Sequence, residues 1–191
     1  MNSAKRESAK IAFIGTHGVG KTTLCYGLAA KLKSKDVVLE VVHEVARRCP
    51  LPINEATSVA AQSWILHTQI AEELVAAARH PVVVCDRSAL DNYASLLLSQ
   101  GAQPDLDRLV DSWMQTYELL IFVPVVGAPS ADGVRALDPA FQLAVQERLR
   151  AELRSRNLRA IELAVERREC WLDDCADLVW QRIQPPQLSL L

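Results

Sequence analysis

The sequence has 191 residues, 50% of them hydrophobic and 23% charged, which supports one folded domain with a real core and excludes a disordered chain. Its formal net charge of −2 gives no general attraction to nucleic acid or an anionic membrane, and its longest strongly apolar stretch, Leu119 to Val126, is too short to span a bilayer. Its 5 cysteines include no C-x-x-C pair and fit reduced thiols packed as core filler, so a single cytoplasmic domain over residues 1–191 is expected, with 1–9 and 184–191 flexible.

Along the chain, apolar runs alternate with helical periodicity. The runs are Ile11–Ile14, Val37–Val42, Val82–Cys85, Leu119–Val125 and Leu158–Leu163. Such alternation predicts a parallel sheet flanked by helices. The first helix carries Leu24, Leu28 and Leu32, and the second opens near Asn54 with Val59, Ser63, Leu66, Ile70 and Leu74 on one face. Ser88-Ala89-Leu90-Asp91 reads as a capping box for a third, facing inward with Leu90, Tyr93 or Ala94, and Leu97. Gly101 and Pro104 break it before a short helix around Leu106–Met114. Asp138-Pro139 starts a helix with Phe141, Val145, Leu149 and Leu153 in register, and a last one carries Arg168, Trp171, Cys175 and Leu178. The arginines Arg148, Arg150, Arg154, Arg156 and Arg159 read as a solvated helix face.

Directly after the first run, Gly15-Thr16-His17-Gly18-Val19-Gly20-Lys21-Thr22 satisfies G-x-x-x-x-G-K-[ST] at every fixed position, between a strand and a helix. Backbone N–H groups of such a loop curl around a β-phosphate, which glycines at Gly15, Gly18 and Gly20 permit. Lys21 is expected at the β/γ-phosphates, Thr22 at a magnesium ion, and His17, Val19 and Thr23 among the nucleotide contacts. ATP and Mg2+ are thus the expected ligands.

Val82-Val83-Val84-Cys85-Asp86 has the form of a Walker B strand, with Asp86 supporting the metal, and Arg87-Ser88 follow at once. His43-Glu44-Val45-Ala46-Arg47 sits at the end of the second strand, where open α/β sheets build their sites. There Glu44 is read either as a carboxylate that takes a proton from an attacking hydroxyl or as a surface residue. Gly127 to Arg135 forms a segment whose Arg135 is placed to close on a triphosphate, or else a plain surface loop. Gln62 and Trp64 are candidates for reading a base, against simple packing.

Taken together, E-x-x-R after the second strand, the acid ending the third, the fourth apolar run and Asp132-Gly133-x-Arg135 resemble the ribosylnicotinamide kinase domain of bacterial NAD-biosynthesis regulators and related AAA-like P-loop kinases. Asp86-Arg87-Ser88 is closer to deoxynucleoside and thymidylate kinases. The resemblance implies a three-layer P-loop NTPase fold, α/β, with a five-stranded parallel sheet and helices on both faces. It also implies Glu44 or Asp86 near the acceptor hydroxyl, Arg47 near the acceptor, Arg87 on phosphate charge and Arg135 as the lid arginine. The expected activity is ATP-dependent phosphoryl transfer to a small nucleoside-like acceptor, with a regulatory NTPase that uses water as the alternative; a homodimer stays open.

Overall fold

The computed structural model describes residues 8–53, 57–127 and 139–184. Among these residues five strands, β1 (Ala9–Ile14), β2 (Leu39–Val42), β3 (Val82–Asp86), β4 (Leu119–Phe122) and β5 (Ile161–Glu162), form one sheet in the order β2-β3-β1-β4-β5. Every pairing is parallel, with Ile11 opposite Val84 on one side and Leu119 on the other. The three central strands are buried on both faces, which is why they read as unbroken apolar runs.

Among the described residues six α-helices cover the sheet: α1 (Lys21–Lys33), α2 (Val59–Arg79), α3 (Ala89–Gln100), α4 (Pro104–Met114), α5 (Pro139–Ser155) and α6 (Trp171–Ile183). One core joins Phe13, Val84 and Ile121 to Cys25 and Leu28 of α1 and Cys175 and Val179 of α6. The other joins Ala12, Cys85 and Phe122 to α2 through α5, giving the expected three layers. Gly27 lets α6 approach α1 closely: a Cβ there would stand 2.9 Å from Leu172.

Several boundaries differ from the periodicity. Asp36, at φ 61°, turns the chain and Val37 N–H bonds back to Leu32 O, so β2 begins only at Leu39 and Val38 is exposed. Likewise Leu158 N–H returns to Leu153 O, closing α5, and leaves β5 just Ile161–Glu162. The strand β4 ends at Phe122, and β1 already begins at Ala9, within the span expected to be flexible. Asn54 lies outside the described residues, and the first residue of α2 is Val59, with Ser58 Oγ accepting Ala61 N–H at 3.2 Å. Val59 and Leu74 are exposed; the buried face of α2 runs through Gln62, Ile65, Leu66, Gln69, Glu73 and Ala76. In α5, Phe141 is exposed and Gln142 is buried instead. Arg168 precedes α6 in a short 3-10 helix, Val165–Cys170. Arg156 is not part of a solvated face: its guanidinium is buried against Asp107, Asp111 and Glu152 and lies over the Tyr93 ring. Cys25, Cys85 and Cys175 are buried as filler, Cys49 is half-buried and Cys170 is exposed.

Candidate functional site

The loop between β1 and α1 has the backbone of a phosphate cradle. Gly15 has φ 144°, and a Cβ there would stand 2.5 Å from Val123 O, so no other residue fits. Gly20, at φ 93°, ends the loop and opens α1, whose first N–H groups and dipole favour an anion. Lys21 is the first residue of α1 and is buried, with Nζ donating to Thr16 O. A cation held inside the loop's own curl is a chemical fit to phosphate. Thr22 is half-buried, Val19 packs against the α1 core and Thr23 is exposed.

Two helices brace this loop from behind. Asp91 is fully buried and does two jobs with one carboxylate. Its Oδ2 accepts Ser88 N–H at 2.9 Å and Ser88 Oγ–H at 2.8 Å, while its Oδ1 accepts Gly15 N–H at 2.9 Å. The capping box of α3 thus also holds the first glycine of the loop. From α5, Gln142 Nε2 donates to His17 O at 2.8 Å, Phe141 stacks on the His17 ring at 6.0 Å, and Gln146 Oε1 accepts Val125 N–H at 2.8 Å.

The strand β3 delivers Asp86, 3% exposed, to the same end of the sheet, where Thr22 Oγ1–H donates to its Oδ2 at 2.6 Å. A hydroxyl and a carboxylate brought together are hard oxygen donors of the kind magnesium takes alongside waters and phosphate. Among the described residues no group of three or more His, Cys, Asp and Glu is gathered to cage a metal without such help. Beneath Asp86, burial pushes the Cys25 thiol well above its ordinary range and the carboxylate adds to it, so the thiol stays neutral.

Arg87 follows Asp86 with φ 113°, a left-handed backbone that costs a non-glycine residue about 1–3 kcal/mol. Its buried side chain donates from Nε to Glu44 Oε1 at 2.8 Å. Arg47, on the 3-10 helix Val45–Arg48, donates from Nε to the other oxygen, Glu44 Oε2, at 2.9 Å. Glu44 is only 5% exposed, which overturns its reading as a surface residue. The structure therefore gathers Gly15–Lys21 as a cradle, Thr22 with Asp86, and Glu44 with Arg47 and Arg87. Gln62 is buried but bonds to Thr57 Oγ1 at 2.9 Å and to none of these groups. Arg135, with Asp132 and Gly133, lies outside the described residues.

A family model described as an AAA domain matches residues 10–169. The chain belongs to the AAA domain family. A solved deoxyadenosine kinase from M. mycoides with bound dATP is similar in fold, with a TM-score of 0.61 and 16% identity over 92% of this chain and 98% of that one. The NadR protein in complex with NR is similar with a TM-score of 0.68 and 17% identity over 95% of this chain, which spans 54% of that one. The expected P-loop kinase-like fold is met in both. No curated protein matches the sequence. Among the described residues no helix is long and apolar enough to cross a membrane.

The sequence does not announce the bracing of the loop. Asp91 carried a sequence signal only as a cap, and Gln142 and Gln146 carried none, because an amide on a predicted apolar face breaks the pattern instead of announcing a role.

Proposed function

We propose that the chain is a magnesium-dependent phosphotransferase that moves the γ-phosphoryl group of ATP to a hydroxyl of a small nucleoside-like acceptor. The observation that carries this reading is the second buried carboxylate. Asp86 accepts from Thr22, while Glu44 lies between two guanidinium groups, at 2.8 Å and 2.9 Å. Metal support alone needs one such acid; a second, oriented one suits a hydroxyl that must lose its proton.

In this mechanism Lys21 and the loop N–H groups hold the β- and γ-phosphates, and Thr22 and Asp86 would hold a magnesium ion, which would supply positive charge to the phosphate oxygens. Glu44 aligns the acceptor hydroxyl and takes its proton as the new P–O bond forms. The bond from the γ-phosphorus to the bridging oxygen breaks, and ADP leaves with that electron pair. Arg87 and, on the sequence pattern, Arg135 balance the charge on the transferring group. Arg47 fixes the far oxygen of Glu44. The similar kinases named above support the class of acceptor, and a soluble cytoplasmic setting accords with it.

The experiment is ADP release by the purified protein across nucleosides, deoxynucleosides, nucleotides and nicotinamide riboside, against buffer as baseline. The reading expects one class of acceptor to raise turnover by at least about a hundredfold. Turnover that no acceptor stimulates would favour the second reading, an NTPase with water as acceptor, which the AAA family description supports.

A further inference from the structure

Behind the site lies a polar hub that the mechanism does not use. Glu73 of α2 is completely buried, yet its carboxylate accepts four hydrogen bonds. Lys10 Nζ and Trp113 Nε1 donate to Oε2 at 3.0 Å and 2.8 Å, and Gln69 Nε2 and Tyr117 OH donate to Oε1 at 2.8 Å and 2.6 Å. The Lys10 ammonium also lies 3.9 Å from the centre of the Trp113 ring and 4.7 Å from that of Tyr117. A buried ion pair of this kind is poor evidence for stability, since apolar residues of similar volume would serve the core as well or better.

Both donors to Oε1 continue to the turn that carries Arg87. Gln69 Nε2 also reaches Arg87 O at 3.4 Å, and Tyr117 OH, with its proton directed to Glu73, accepts Ala89 N–H at 3.2 Å. The strained backbone of Arg87, at φ 113°, is therefore flanked by two struts that end on one oxygen atom. Burial and the Glu73 charge raise the Tyr117 hydroxyl well above its ordinary range, so it remains a donor to the carboxylate.

We propose that Glu73 is a positioning residue: through Gln69 and Tyr117 it holds the left-handed turn at Arg87–Ala89, and so directs Arg87 Nε onto Glu44. The proposal rests on the reading above, in which Glu44 and Arg87 form the acceptor end of the site.

The test removes each strut without removing its bulk, by Tyr117→Phe and separately Gln69→Met, in the full chain. Amide exchange is followed at Ser88 and Ala89 against Ile11–Ile14 of β1, alongside acceptor-dependent kcat and the ATP Kd. The proposal expects local exchange at least about tenfold faster with β1 unchanged, because a buried N–H loses its partner or its anchor. It also expects kcat to fall about 10–100-fold while the ATP Kd holds within about twofold. Unchanged exchange at Ser88 and Ala89 in both variants overturns it whatever the activity. Faster exchange throughout, β1 included, overturns it in favour of a purely structural role. Faster local exchange with unchanged kcat overturns the link to catalysis. A wild-type protein with no acceptor-dependent turnover would defeat the phosphotransferase reading and the link to Glu44 with it, while exchange alone still decides whether the hub holds the turn.

Discussion

Replacing Asp91 by Ala is the sharpest perturbation of the loop that touches no expected ligand. Asp91 is fully buried, and its loss strips the acceptor from the backbone N–H groups of Gly15 and Ser88, both of which are also buried. A buried donor left without a partner costs about 1–3 kcal/mol, so the pair amounts to about 4 kcal/mol. Half of the capping box goes with it, a loss already contained in the Ser88 contribution. For a chain of this size about 2–4 °C of Tm accompanies each kcal/mol, which places the fall at about 8–16 °C. Asp91→Asn keeps one oxygen for one of the two donors and should lose about half as much. The assay is thermal unfolding with and without ATP and magnesium. Because Gly15 is the residue set loose, the nucleotide-induced rise in Tm should shrink in Asp91→Ala as the ATP Kd weakens. A Tm within about 2 °C of wild type, with an undiminished nucleotide effect, would refute the reasoning, because no mean cost per buried donor is that small.

Four further outcomes are expected. Asp86→Asn should lower the rate by at least about a hundredfold and flatten its magnesium dependence, read by magnesium titration. Glu44→Gln should lower acceptor-dependent kcat by about 10²–10⁴ with little change in ATP Kd, since the amide accepts the hydroxyl's hydrogen bond but not its proton. Arg135→Ala should reduce kcat by about 10²–10³, again with ATP affinity nearly constant; equal losses in both would remove its transition-state role. The Cys175 thiol is pushed up to about 12 by burial and then by Asp174, so it stays neutral below that pH, and Cys25 and Cys85 are raised as well. A thiol reagent at pH 8 should therefore label exposed Cys170 first and spare these three until the protein is denatured; fast labelling of any of the three would contradict their burial.

The phosphate loop was fully legible because its chemistry constrains residue type at every step: glycine where φ is positive, Lys21 inside the curl, Thr22 toward Asp86. The strand order was not, because periodicity finds strands without saying which are neighbours. Periodicity also misjudged α2. It favoured Val59 and Leu74, which are 37% and 56% exposed, over Gln69 and Glu73, which are fully buried. Glu73 is admitted to the core because Lys10 of β1 and Trp113 and Tyr117 from the chain after β3 bond to it, and the Gln69 amide N–H reaches Arg87 O; partners distant in sequence leave no local trace. Asp91 illustrates the same limit. Its bond to Ser88 spans three residues and could be read; its bond to Gly15 spans 76 and could not. Arg156 failed in the opposite sense, looking like one of a basic run until α4 supplied Asp107 and Asp111.

The close seat of α6 on α1 has a consequence during synthesis. The helix that carries Lys21 and Thr22 packs Cys25, Leu28 and Leu32 into a core that Trp171, Cys175 and Val179 complete, and Gly27 is shaped for Leu172. On the ribosome the phosphate loop emerges early, but at about 5–20 residues per second several seconds pass before α6 follows. Until then α1 has an apolar stripe facing water and no rigid base for the loop. The chain should therefore acquire nucleotide affinity late and abruptly, once α6 is free to dock, and released truncated chains that end before Trp171 should be open to chaperones and proteases while chains that include α6 resist both.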